Sequence, residues 1–399
     1  MKKLSLVLLL LPSILFSQVV PKYGNDTLLD IGTWNVEWFG DLTNGPSDET
    51  QQFDNVKNII NKTDIDIWGI EEMSNTTSFN SLISALPLYG GVNSTFSLTQ
   101  KMSLLYKKSM FNFISAEQIL TTSNYDFASR PPLLVKLSTK GDSINIDTLF
   151  VIVVHLKANS ESNSTGKLES YNRRKRAADA LKIYIESTLL NKKNIVLGDW
   201  NDRLDFSIHN GIDTTPFKQL LNANYNFITK PLADAGKRSY AFSDGFIDHI
   251  MVSPRIDSFY VKQSATVLDN LGQFVSNYSN TTSDHYPVFG RFLFNKIKYT
   301  TPIDTIPTDT IKDTSRTSIN YSIKSTNNFT VYPNPFENYF TIKTENLNND
   351  LVEIYSPIGN LIYSKLLNKN ETEINLKDYQ TGLYIICFKG KYYKILKTQ

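Results

Sequence analysis

Cysteine is almost absent: Cys387 is the only one in 399 residues. No intrachain disulfide can form, zinc sites built from paired thiolates are excluded, and the fold has to hold through its core. An excess of charge of either sign is also missing. Lys and Arg total 41 against 39 Asp and Glu, a net of +2, so no whole-chain field marks out a nucleic-acid or membrane partner. Any polyanion recognition must be local. Long apolar runs are missing too, since the stretch Leu4 to Phe16 falls short of the about 20 residues that a bilayer-crossing helix needs. Lys2 and Lys3 precede that stretch and Ser17-Gln18 follow it, the pattern of a secretory signal over residues 1–18. The expectation is an exported, soluble, monomeric protein with no transmembrane segment, and its lack of disulfides points away from a disulfide-dense scaffold.

What remains is ordinary globular material. Hydrophobic residues make up 41% and charged residues 20%, and at about 150 residues per domain the length suits two to three folding units. From about Thr27 to Phe294, strand-like and helix-like stretches alternate, among them Leu29 to Phe39, Phe53 to Ile60, Asp66 to Met73 and Leu149 to Leu156. This is an α/β body over residues 27–295. In Tyr171 to Leu190, Ala177, Leu181, Tyr184, Ile185 and Thr188 follow helical spacing, and Asn194 to Leu197 resumes as a buried strand. Residues 296–328 turn to Thr, Asp, Ser, Pro and Ile without an apolar period, which reads as a linker. Residues 329–399 return to short alternating runs such as Leu351 to Tyr355 and Leu361 to Tyr363. Ser356-Pro357-Ile358-Gly359-Asn360 between them signals a hairpin in a small all-β sandwich. Val331-Tyr332-Pro333-Asn334-Pro335, Gly359, Thr381-Gly382-Leu383-Tyr384 and the basic stretch Lys391 to Lys397 resemble the C-terminal sorting domain of the type IX secretion system. That resemblance implies outer-membrane translocation by the type IX machinery and removal of the tail during export, with the protein secreted or at the cell surface.

Chemistry-bearing residues gather at strand ends. In Thr33-Trp34-Asn35-Val36-Glu37, alternation puts Asn35 with Thr33 and Glu37 on one face and Trp34 with Val36 on the other. Asp66 to Met73 carries Glu71-Glu72 after an apolar stretch, either solvated or ligating a hard cation. Val153-Val154-His155-Leu156 and Ile195-Val196-Leu197-Gly198-Asp199-Trp200-Asn201 run from strand cores into polar groups. In extended geometry Asp199 and Asn201 project the same way, with Trp200 packed behind. In Gly245-Phe246-Ile247-Asp248-His249 only one of Asp248 and His249 can face a cleft, and Ser283-Asp284-His285-Tyr286 completes the series. Taken singly, each has a plain structural explanation: a satisfied core histidine, a turn aspartate, a solvated loop acid. Jointly they do not, because three of the four histidines and a series of carboxylates fall where α/β folds build ligand crevices. His209 stands outside any such context.

Trp-Asn-Val-Glu, Gly-Ile-Glu-Glu-Met, Val-His-Leu, Gly-Asp-Trp-Asn, Ile-Asp-His-Ile and Ser-Asp-His-Tyr-Pro-Val occur in this order. The set resembles the endonuclease/exonuclease/phosphatase family of pancreatic-type deoxyribonucleases and apurinic endonucleases. The resemblance implies a four-layer sandwich of two mixed β-sheets flanked by helices, with the site at one end. It implies Glu72 as a Mg²⁺ ligand, Asn35 near metal and phosphate, and Asp284 as a further metal contact. Glu71 stands where the family commonly has Gln. His155 and Asn201 match phosphate-binding groups, Asp199 the carboxylate that orients the nucleophile or protonates the leaving oxygen, and Asp248 with His285 the acid/base pair. Arg130 matches a phosphate-contacting Arg ahead of a strand. Arg173 and Arg174 lie on or near the packed side of their helix, from which one could reach the site.

Phosphodiester hydrolysis needs an activated water, neutralised phosphate charge and a stabilised leaving oxygen, and this set supplies all three. The expected activity is a Mg²⁺-dependent endonuclease acting on extracellular nucleic acid, with Mn²⁺ in place of Mg²⁺ and a structural Ca²⁺ left open. The same constellation resembles that of sphingomyelinases and inositol-phosphate phosphatases. A catalytically inactive surface-binding module is the rival of another class, disfavoured because the acidic, amide and imidazole positions are all intact.

Overall fold

The computed structural model describes residues 19–294, apart from 97–98, 141–145, 210 and 224, and residues 329–398, apart from 345–350, 356–360, 368 and 389–390. The expected signal over 1–18, the linker over 296–328 and the hairpin turn at Ser356 to Asn360 lie outside the described residues. The chain divides into two compact units, Met1–Ile297 and Lys298–Gln399.

The first unit holds the strands β1 (Leu28–Phe39), β2 (Ile67–Met73), β3 (Tyr89–Asn93), β4 (Lys101–Lys107), β5 (Phe111–Gln118) and β6 (Leu133–Thr139). They are followed by β7 (Thr148–His155), β8 (Asn194–Asp199), β9 (Asn226–Phe227), β10 (Asp248–Val252), β11 (Thr266–Val267) and β12 (Val288–Leu293). They form two six-stranded sheets, ordered β11-β12-β1-β2-β4-β3 and β5-β6-β7-β8-β10-β9. Each has one parallel pair at its centre, β1 with β2 and β7 with β8, and antiparallel neighbours around it. A parallel pair needs a crossover. The helices α1 (Glu49–Thr63) and α3 (Ser164–Thr188) supply them, while α2 (Thr76–Ala85) follows β2.

The layers follow from side-chain parity. Leu29, Ile31 and Ile67 of the first sheet interleave with Val151, Val153, Ile195, Leu197, Ile250 and Val252 of the second. Alternate residues turn outward: Trp34, Val36 and Ile70 meet Val56, Ile59 and Ile60 of α1 and Phe79 and Leu82 of α2. On the far side, Ile152, Val154 and Val196 meet Ala177, Ala178, Leu181 and Ile185 of α3. This is the four-layer sandwich of two mixed sheets. Both faces of the central strands are covered, so they read as nearly unbroken apolar runs, and each fully buried aliphatic side chain contributes on the order of 1.5–3 kcal/mol.

α3 begins seven residues before the periodic stretch suggests, because the Asn163 carboxamide caps its first turn by accepting the Gly166 N–H. Its inner face is also shifted: Ser170, Tyr171 and Arg174 are buried, whereas Thr188 is exposed.

The second unit is all β, with a three-stranded and a four-stranded sheet whose pairings are all antiparallel. Phe329, Phe340, Ile342, Val352, Ile354 and Ile386 share its core. Leu351–Tyr355 pairs antiparallel with Leu361–Leu366, as a hairpin requires. Among the described residues, no helix is long and apolar enough to cross a membrane.

Candidate active site

Four strands bring their inner faces to the same end of the inter-sheet layer, and there the apolar residues stop. On β1, Leu29 and Ile31 are followed on the same face by Thr33 and Asn35. On β7, Val151 and Val153 are followed by His155, and on β8, Ile195 and Leu197 by Asp199. β10 runs the other way, so Val252 and Ile250 precede Asp248 in space. Alternation alone delivers Asn35, His155, Asp199 and Asp248 to one place. Gly198 is part of the delivery: its φ of +145° and a position where a Cβ would lie 1.9 Å from the Val154 carbonyl oxygen admit no side chain.

Parity does not deliver Glu72. Its neighbour Glu71 holds the inward position, fully buried, where it accepts the Thr33 hydroxyl at 2.8 Å. Glu72 reaches the site because its φ of 63° turns it out of strand register, at the shift between Ile70 and Met73. β1 breaks register in the same region, with Glu37 and Trp38 at φ of 46° and 52°. Such bulges re-aim side chains. Asp199 and Asn201 likewise meet through a turn and not through extended geometry. Asn201 has a φ of 54°, its N–H donates to Asp199 Oδ1 at 2.9 Å and its Nδ2 to Oδ2 at 3.0 Å. Trp200 does pack behind, fully buried.

The groups form one connected cluster. Asn35 Nδ2 lies 3.1 Å from both Glu72 Oε1 and Asp199 Oδ2, so one carboxamide ties together carboxylates from the two sheets. His155 Nε2 sits 3.6 Å from Glu72 Oε1 and 3.5 Å from Asp199 Oδ2. His285 Nδ1 meets Asp248 Oδ2 at 2.8 Å, leaving Nε2 3.8 Å from Asp199 Oδ2 and 3.9 Å from Asp284 Oδ1. Above them opens a cleft of about 750 Å³, lined among others by Glu72, Arg130, Asp199, Asn201 and His285. Asp248 and Asn35 lie beneath its floor. His249, on the opposite face of β10, is buried instead beside Thr229 Oγ1 and the Asp202 carbonyl oxygen.

Burial and crowding set the charges. Asp199 is pushed up to about 7, chiefly by burial and also by the Asp248 and Glu72 carboxylates, against the pull of His285. Burial and the neighbouring Asp284 push Glu37 to about 7, and Asp284 is raised by burial and by Glu72. Burial and the Arg130 cation hold His155 well below the usual histidine range, hence neutral. Burial lowers His285 too, but the Asp248 and Asp199 carboxylates outweigh it and hold it well above that range.

Two donor sets could take a metal. Ligating atoms of Asp199, Asp248 and His285 lie within 4.8 Å of one another, but His285 Nδ1 and the Asp248 carboxylate are already engaged with each other. Glu72, Glu37 and Asp284 offer carboxylates that repel one another, with the Asn35 carboxamide beside Glu72. An oxygen-rich, like-charged set of this kind fits a hard divalent cation. Glu37 is a residue that sequence reasoning placed on the polar face without giving it a role. Tyr240, whose ring packs edge-on to His285 at 5.1 Å, carried no sequence signal at all.

The arginines separate. Arg130 is buried at the cleft, with Nη1 donating to Gln100 Oε1 at 2.7 Å and Nη2 to the Leu156 carbonyl at 2.8 Å. Arg173 lines the cleft with its guanidinium over the Tyr125 ring at 4.2 Å. Arg174 does not face the cleft, contrary to the expectation that it binds substrate: it is fully buried and ion-paired to Asp202 at 2.8 Å. Asp202 also accepts from the Ile208 N–H at 2.7 Å and the Ser207 hydroxyl at 2.8 Å, so the pair pins the loop after Asn201. Arg174→Met should cost about 3–5 kcal/mol in denaturant unfolding, because it strands a buried carboxylate. A loss below about 1 kcal/mol would show that the pair does not hold the loop.

Residues 32–285 match the endonuclease/exonuclease/phosphatase family and residues 330–398 the secretion system C-terminal sorting domain. The structure of D. rerio TDP2 complexed with a single-strand DNA product is 15% identical, with a TM-score of 0.50 over 68% of this chain and 100% of that one. An endonuclease/exonuclease/phosphatase from Bacteroides vulgatus is 15% identical, with a TM-score of 0.47 over 67% and 100%. The human Nocturnin catalytic domain with bound sulfate is 16% identical, with a TM-score of 0.45 over 67% and 95%. At these identities the likeness is one of fold. A curated relative, the ulvan lyase NLR42 of Nonlabens ulvanivorans, is 28% identical over 139 residues, 34% of this chain, and the chain spans 26% of that relative's length.

Proposed function

Because this chain belongs to the endonuclease/exonuclease/phosphatase family and carries a type IX sorting domain, we propose that it is an exported, Mg²⁺-dependent endonuclease. The observation that carries this reading is the convergence of Asn35, Glu72, His155, Asp199, Asn201 and His285 within hydrogen-bonding reach of one another or nearly so, around one cleft. Glu72, Asn35 and Asp284, joined by Glu37, would hold the cation. When bound, it supplies positive charge where the phosphate and leaving oxygens gather negative charge.

The chain's own groups do the rest. Asp199, near neutral in pKa and fixed by Asn35 and Asn201, is placed to take a proton from the attacking water. His285, with Nδ1–H directed at Asp248, presents Nε2–H to the phosphate or leaving oxygen. Neutral His155 and Arg130 are the donors for the remaining phosphate oxygens, fixed before substrate arrives, while Asn201 commits its Nδ2 hydrogens to Asp199 and the Leu156 carbonyl and so holds the Asp199 carboxylate. Arg130 at the floor with Lys157 and Arg173 among the lining residues makes the cleft cationic away from the carboxylates, as a phosphate backbone requires.

Purified protein incubated with plasmid, RNA, sphingomyelin or inositol phosphates, with Mg²⁺ or chelator, tests this. Chelator-sensitive nicking of nucleic acid is expected. Turnover of the lipid or inositol phosphate alone would overturn the nuclease assignment, and no turnover of any substrate would return the chain to the inactive binding module.

A further inference from the structure

Of the four tryptophans, Trp34, Trp68 and Trp200 are fully buried. Trp38 is partly exposed and lines the cleft beside Glu72 and Arg130. Its backbone is unusual: φ is 52°, directly after Glu37 at 46°, a left-handed region that bulky side chains disfavour and glycine or asparagine would fill without strain. Its surroundings over-determine that conformation. The Trp38 N–H donates to Glu72 Oε2 at 3.0 Å and its carbonyl accepts the Asp41 N–H at 2.9 Å. The loop folds back so closely at Gly45 that a Cβ there would lie 3.1 Å from Trp38 Cβ and 2.8 Å from the Glu37 carbonyl oxygen. Trp38 is thereby fixed at the cleft wall, one hydrogen bond from a carboxylate of the candidate metal site.

Resting on the endonuclease reading above, we infer that Trp38 is the stacking platform for an unpaired nucleobase beside the scissile phosphate, so that the substrate class is single-stranded nucleic acid. A paired base shows only its edges to a groove, whereas an unpaired one offers the flat face that an indole takes, with little dependence on sequence. The cleft has further aromatic surface. Tyr240 lines it, with Phe242 edge-on at 5.9 Å and 61% exposed, and Tyr125 lies under Arg173. Exposed rings beside cations at a phosphodiester site suit a chain of bases on a charged backbone.

The three other indoles are closed to ligand, so nucleobase quenching of tryptophan fluorescence reports Trp38. In a His285→Ala background with Mg²⁺, a single-stranded oligonucleotide should quench the emission, and an abasic oligonucleotide of equal length or a duplex should not. Trp38→Ala should weaken binding of a labelled single strand about tenfold or more, to the level of the abasic strand, while Trp38→Phe keeps most of the affinity and loses the signal. Equal affinity for the base-bearing and abasic strands, or cleavage of single strands by the parent protein without any quenching, would overturn the stacking role and leave the nuclease reading standing. Quenching by sphingomyelin vesicles and by no oligonucleotide would overturn both.

Discussion

His285→Ala is expected to lower kcat by roughly 10³-fold, within the range of positioned acid/base groups, while the protein stays folded. The imidazole packs against the Tyr240 ring at 5.1 Å and, among the described residues, hydrogen-bonds through Nδ1 to Asp248, while the His285 backbone accepts from Trp34 Nε1–H and the Tyr278 hydroxyl and donates to the Ser283 hydroxyl. Its removal leaves the apolar core of the sheets intact but strands the buried Asp248 carboxylate, so stability should fall by about 3–5 kcal/mol while the fold is kept. Asp248→Asn separates charge from shape. The carboxylate that holds His285 well above the usual histidine range becomes a neutral amide, so the imidazolium loses its proton at lower pH. If His285 works protonated, the alkaline limb of the pH–rate profile moves to lower pH and part of the lost activity returns on acidification. Cleavage rates on a single-stranded oligonucleotide across pH measure both variants. Retention of more than about a tenth of kcat by His285→Ala, or an unmoved profile for Asp248→Asn, would remove the pair from the reaction.

The residues that sequence placed well are those governed by strand parity. Asn35, His155, Asp199 and Asp248 each continue the inward face of an apolar strand, so the pattern that makes Leu29, Val153, Leu197 and Ile250 core residues also aims their successors at one end of the sandwich. His249 falls outward by the same rule. The sandwich itself is not visible in alternation, which gives α/β and no more; it came with the family motifs. Parity failed wherever the chain leaves register. Glu72, Glu37, Trp38 and Asn201 all carry a positive φ, and no glycine or asparagine pattern announces it at the first three. Local propensity is overruled there by hydrogen bonds between residues far apart in the chain, across the two sheets for Asn35 to Asp199 and between neighbouring strands of the first sheet for Trp38 to Glu72. Arg174 failed differently. A helical wheel shows that a charged residue points inward, but not whether it meets a substrate phosphate or, as here, the Asp202 carboxylate.

Removal of the divalent cation should abolish turnover, and Glu72→Gln should lower it on the order of 10³-fold, since such an ion contributes several kcal/mol at the charged transition state. The same cluster ties stability to pH. Glu37 and Asp199 move from 4.5 and 3.8 to about 7 in the fold. The metal-free fold therefore binds protons that the unfolded chain has already released. Their contribution is complete below the unfolded values and is lost as pH rises through about 7. His155 and His249 act oppositely. Both sit below 6.5, His249 at about 4, so they penalise folding only as pH falls below 6.5. His285, held well above the usual histidine range, acts with the carboxylates, so metal-free Tm should fall as pH rises from about 6.5 to 8. A cation held by Glu37, Glu72 and Asp284 takes the ionised form of Glu37 and Asp284, both raised in the metal-free fold, and displaces their protons, so the gain in Tm from Mg²⁺ should be larger at about pH 8 than at about pH 6 in thermal unfolding of the whole chain. Glu72→Gln should erase most of that difference even if it leaves some activity. An equal or smaller gain at the higher pH would show that the cation displaces no proton from Glu37 or Asp284 and would move it out of this carboxylate cluster.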